Sequence, residues 1–181
     1  MHFVLAAVLL ASPRLPHGQK QASPAEQLPP DEARARAEKY LGTIDTPISA
    51  EQWRAVGVAG AEVLEPIVRS AGELPTRRAH ALEGLVHAAP QRAAALVGPL
   101  ARDESQPVVV RVAALHGAAQ VLSSSKLAAE LKPVLQRSRD AGLRAAAADV
   151  LARHGGCAAV KAQAAREREN AGFEKPLERC Q

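Results

Sequence analysis

Apolar residues in the middle of the chain fall at Val108, Val112, Leu115, Ala119 and Leu122. The i, i+4, i+7, i+11, i+14 spacing is one face of a 3.6-residue helix. Equivalent slots one period upstream hold Ala79, Leu82 and Val86, and one period downstream Ala145, Ala148 and Ala152. No segment shows the period-two alternation of a strand. The pattern predicts helices over about 31–41, 58–70, 75–88, 90–102, 107–122, 124–137, 141–153 and 158–170. Another short helix carries Trp53 and Val56. Local signals agree with several of these ends. Asp31 follows two prolines and suits an N-cap, and Gly42 suits a C-terminal stop. Ser49 and Gln52 have capping-box spacing, and Gly57 and Gly60 loosen the chain before the helix at 58–70.

Two markers recur with one period. Arg78, Arg111 and Arg144 are spaced 33 and 33, and Pro66, Pro99 and Pro133 are spaced 33 and 34. A repeat of this length is the mark of stacked helical hairpins. The predicted fold class is all-α, an α-solenoid with about three repeats over 58–157. N-terminal helices over 31–57 precede it, and a capping helix and tail over 158–181 follow. Composition points the same way: apolar residues make up 47% but aromatics only 2%. Alanine-rich helices can approach closely in thin layers, each touching only its neighbours.

The proline within the first helix of each pair and Val110-Arg111-Val112-Ala113-Ala114-Leu115 at the start of a second resemble the HEAT repeat family. Asp103 and Asp140, in the turns before Arg111 and Arg144, resemble its acidic turn residue. The resemblance covers about 58–157 and implies stacked hairpins; such repeats host many activities, so it selects no function. The signature residues of ankyrin and tetratricopeptide repeats are absent. So are the adjacent His-Glu pairs with which the deoxyhypusine hydroxylase branch binds iron, and no feature selects the bilin lyases. HEAT-like DNA glycosylases use aromatic and basic clefts, for which only Trp53 and Tyr40 are candidate stacking platforms. No phosphate-cradling glycine loop or zinc-protease motif is present.

The arginine ladder has a structural explanation. Each alkyl stem can cover alanines while the guanidinium reaches carboxylates or carbonyls at the preceding helix end. The opposite face of each second helix should line a concave groove. It carries His80, Glu83 and His87, then His116 and Gln120, then Asp149 and Arg153. Glu83, His116 and Asp149 are equivalent positions and should form a row. The expectation is a protein-binding surface with no catalytic residue, cofactor, metal or nucleic acid. The alternative is a metal-dependent enzyme using His80, Glu83, His87 and His116.

Residues 1–11 read as a secretory leader, far shorter than the about 20 apolar residues of a membrane span. A buried N-terminal helix or a misplaced start is the competing reading. Five prolines over 12–30 make that stretch a tether that cannot sustain a helix. Cys157 and Cys180 are the only cysteines. A helix over 158–170 travels about 20 Å, and the next ten residues reach about 33 Å, enough to return Cys180 to Cys157. In a periplasmic or extracellular protein a disulfide is the economical reading; two free thiols in a cytosolic protein is the other. The alternating charges of Arg166-Glu-Arg-Glu-Asn170 suggest a solvated helix.

Overall fold

The computed structural model describes residues 28–43 and 46–181; the leader at 1–11 and most of the proline-rich stretch lie outside them. Seven helices lead the described chain: α1 (Pro30–Leu41), α2 (Ala50–Arg69), α3 (Pro75–Ala88), α4 (Pro90–Arg102), α5 (Val108–Val121), α6 (Ser124–Arg137) and α7 (Ala141–Arg153). Then come α8 (Cys157–Gln163), a 3-10 turn at Ala171–Phe173 and α9 (Glu174–Glu178). No strand occurs among the described residues.

Local chemistry explains most of the helix ends. Pro29 is the N-cap of α1, with Pro30 in the first turn, where its missing N–H is no loss. Asp31 therefore lies one step inside the helix, facing the positive end of the dipole rather than capping it. At the start of α2, the Gln52 amide N–H donates to Ser49 Oγ at 3.2 Å and the Ser49 amide N–H to Gln52 Oε1 at 2.8 Å. Gly57 then breaks the helix with φ 50° and ψ −151°, a conformation that side chains other than glycine's resist. The predicted boundary between two helices is thus a kink within one. Asp140 caps α7 by accepting from the Leu143 amide at 2.6 Å.

The helices pack in neighbouring pairs, α2 with α3, α4 with α5, and α6 with α7. α3 packs on α5 and α5 on α7, while α4 packs on α6. The result is a solenoid-like stack of three two-helix layers, with α1 covering the first and α8, α9 and the 3-10 turn covering the last. Within a layer the two helices are joined by 70–74, 103–107 and 138–140. The third connection is two residues shorter, and this alters the local contacts of Arg144.

The buried stripe is rotated from the one the periodicity predicts. In α5 the buried positions are Val110, Arg111, Ala114, Leu115, Gly117 and Ala118. Val108 is 47% exposed, and Val112, Ala119 and Leu122 are only partly buried. The helix is apolar nearly all round, so spacing alone does not select a face. Contacts from α3, α4 and α7 do. In α3, Leu82 and Val86 are buried as expected, and in α7 so are Ala145 and Ala148; Ala79 and Ala152 stay at the edge.

Two glycines, also 33 apart, allow close helix approach, Gly84 within the first layer and Gly117 between the first and second. A Cβ on Gly84 would lie 2.8 Å from the Trp53 ring, and one on Gly117 would lie 2.9 Å from Val86. Trp53 is fully buried, with Tyr40 edge-on at 5.2 Å.

Three substitutions test this packing by chemical denaturation, and Val108 separates it from the periodic expectation. Leu115→Ala should cost about 2–5 kcal/mol, and Gly84→Ala about 1–3 kcal/mol by overpacking against the indole. Val108→Ala should stay within about 0.5 kcal/mol.

Candidate functional site

The arginine ladder has its expected contacts and a second set on the far side. Arg78 Nε donates to the Val68 carbonyl at 3.1 Å, and Arg111 Nε to the Ala101 carbonyl at 3.1 Å. Both carbonyls lie in the last turn of the preceding helix, where no intrahelical donor is available. Across the gap to the next layer, Arg78 Nη2 donates to Gln106 Oε1 at 2.7 Å. Arg111 Nη2 lies 3.5 Å from Ser138 Oγ.

Arg144 follows a shorter connection and turns toward it, donating through Nη1 to the Ser138 and Arg139 carbonyls at 3.0 and 3.2 Å. Its other nitrogens form a fork on Glu167, Nε to Oε1 at 2.5 Å and Nη2 to Oε2 at 3.1 Å. The Glu167 side chain has no exposed surface, and Asn170 Nδ2 donates to the same carboxylate at 2.8 Å. These hydrogen bonds, Arg144's first, hold the Glu167 carboxyl below its ordinary 4.5 despite burial.

This corrects the reading of the tail. Helix α8 ends at Gln163, and 164–169 form turns rather than a solvated helix reaching 170. Glu167, within those turns, is buried against Arg144. The tail then returns so that Cys157 and Cys180 form a disulfide, their Cα atoms 5.2 Å apart. Such a bond contributes about 2–4 kcal/mol by restricting the unfolded chain. The acceptors Gln106, Ser138 and Glu167 were not legible in the repeat, because 106, 138 and 167 do not share its period.

Asp103 takes no hydrogen bond from Arg111. Its carboxylate accepts from the Ser105 amide at 2.9 Å, the Ser105 hydroxyl at 2.6 Å and Gln106 Nε2 at 2.8 Å. Those bonds lower its pKa to about 2. They also orient the Gln106 amide so that its oxygen faces Arg78.

Four of the seven proposed surface residues come together. His80, Glu83, His116 and Gln120 line a groove of about 470 Å³ along α3 and α5, with Val86, Val109, Val112 and Gly117 also in its wall. The His80 ring stands edge-on to buried Trp53 at 5.5 Å. His87 lies outside the groove and is half-buried. Burial lowers its pKa, Glu83 opposes that, and Arg54 adds to it. Asp149 and Arg153 also lie outside. Arg153 donates to Asp149 at 2.8 Å, and Arg179 of the returning tail holds the same carboxylate at 3.2 Å. The third member of the row is thus occupied by the chain's own cap.

Among the described residues, no three His, Cys, Asp or Glu side chains converge as metal ligands. Trp53 and Tyr40, the two candidate stacking platforms, are buried. No family model, curated protein or solved structure matches this chain.

Because Glu167 has a lowered folded pKa, the unfolded chain takes up this proton first as pH falls. Its contribution is complete above about 4.5 and is lost as pH drops through the folded value. Glu167→Gln should cost about 1–3 kcal/mol at pH 7. Denaturant titrations of the two proteins should converge as pH falls below about 4.5; a constant difference would place the effect in packing.

Proposed function

We propose that this chain is an exported, non-enzymatic adaptor built from HEAT-like repeats, and that it binds a partner protein through the groove of α3 and α5. One observation carries the reading. His80, Glu83, His116 and Gln120 form the polar part of an open groove whose other walls are valine, alanine and glycine. A rigid apolar floor with a few polar groups suits a partner segment, anchors supplying affinity and polar contacts setting register. The arginine and proline markers, recurring at equivalent places in successive hairpins, support the kinship with HEAT repeats.

The Cys157–Cys180 bond favours an oxidising compartment. Among the described residues no helix is long and apolar enough to cross a membrane, which fits a periplasmic or extracellular setting. The metal-enzyme alternative loses ground because His87 does not line the groove with His80, Glu83 and His116, and no three possible ligands converge among the described residues. Among the described residues, Tyr40, Trp53 and Phe173 are buried, so a nucleic-acid role lacks an exposed aromatic surface there on which bases would stack.

The test compares the wild-type chain with a Glu83→Ala, His116→Ala, Gln120→Ala variant as bait in an envelope fraction. The wild type should retain a partner that the variant loses while its melting temperature is unchanged. Elemental analysis of the purified chain should find no stoichiometric metal. Identical retention by both baits, or a metal lost with His116→Ala, would reject the reading.

A further inference from the structure

Gaps recur along the edge where the arginines lie, two between successive layers and one between the last layer and the tail, and each is filled differently. In the first, Gln106 plugs the space beside Arg78, and the cleft bounded by Val68, Arg69, Pro99, Leu100 and Gln106 is about 220 Å³. In the third, the returning tail carries Glu167 into place, and its carboxylate seats on the Arg144 fork. In the second, nothing of the kind arrives. Arg111 is 4% exposed, yet its far side meets only the Ser138 hydroxyl at 3.5 Å, the outer limit of a hydrogen bond. No carboxylate lies within ion-pair distance of Arg111 among the described residues, whereas Arg144 has Glu167.

The cleft left open there is about 410 Å³ and is lined by Arg102, Arg111, Arg137 and Arg139 against a single acid, Glu104. Two of these arginines have partners: Arg102 pairs with Glu130, and Arg139 lies 3.7 Å from Glu104. Arg137 and Arg111 have no ion-pair partner among the described residues. Asp103 feels the Arg111 charge, but its carboxylate is held by Ser105 and Gln106 and takes no hydrogen bond from the guanidinium. The planar fork is thus left without the two-oxygen acceptor it suits.

We infer that this cleft, between the second and third layers, is a carboxylate-binding site that takes an acidic side chain of a partner peptide. Glu167 on Arg144 is the internal precedent for the chemistry, a carboxylate presented from an irregular segment lying across the layer edge. The peptide would set one carboxylate on Arg111 and a second near Arg137. The site shares no residue with the groove of α3 and α5, so it stands or falls independently of that groove.

The experiment titrates the full chain by calorimetry with a blocked peptide containing three consecutive glutamates. The controls are its glutamine counterpart and glutarate. The glutamate peptide should bind, more weakly as salt rises, with the glutamine peptide and glutarate each weaker by about tenfold or more. Arg111→Gln should abolish binding. Because that variant removes a buried rung, Arg137→Gln supplies the test on a folded protein. Its exposed side chain should leave the melting temperature unchanged and weaken the peptide by about threefold. Equal binding of the glutamine peptide, or full affinity in Arg137→Gln, overturns the site. Equal binding of glutarate overturns a peptide as the source of the carboxylate. The groove variant Glu83→Ala, His116→Ala, Gln120→Ala should bind the glutamate peptide like the wild type; loss there would transfer the ligand to the groove and reject this cleft.

Discussion

Two guanidinium groups connect neighbouring layers of the stack, and a third ties the last layer to the tail. Arg78 and Arg111 each reach back to the last turn of the helix before them. Every rung also reaches forward, to Gln106, Ser138 or Glu167. An arginine suits this place because its stem packs on small residues while its rigid fork serves several acceptors at once. Burial of the charge makes those acceptors a requirement, since a lone cation excluded from water costs several kcal/mol. The ladder therefore couples each layer's register to the next.

The same constraint shapes the C-terminal end. An open solenoid exposes the apolar face of its last layer, and terminal units need a cap. Here the cap is the tail itself, fixed at one point by the Arg144–Glu167 pair and at another by the Cys157–Cys180 bond. Arg179 of that tail also occupies Asp149. This removes one position from the polar row and leaves the groove confined to the first two layers. The terminal contacts and the extent of the binding surface are thus one structural matter.

Glycine and tryptophan play the corresponding part at the N-terminal end. Gly84 lets the face of Trp53 approach the backbone of α3, and Trp53 in turn backs His80. One end of the groove is therefore supported by a large buried ring rather than by a loop. Preorganisation of this kind reduces the ordering cost of binding.

Helix existence, the all-helical class and the place of each arginine were written in the sequence, because a 3.6-residue periodicity and a recurring marker are local properties of the chain. The pairing of Cys157 with Cys180 was within reach of simple chain-length geometry. Tertiary structure alone decided which face of α5 is buried, since that helix is apolar on every side and only its neighbours choose among them. It also decided the fate of Glu167. A glutamate in a run of alternating charges carries no local signal that an arginine 23 residues earlier will bury it. That Arg111 meets a hydroxyl where Arg144 meets a carboxylate was equally invisible, because the acceptors beyond the arginines come from connections that do not follow the repeat.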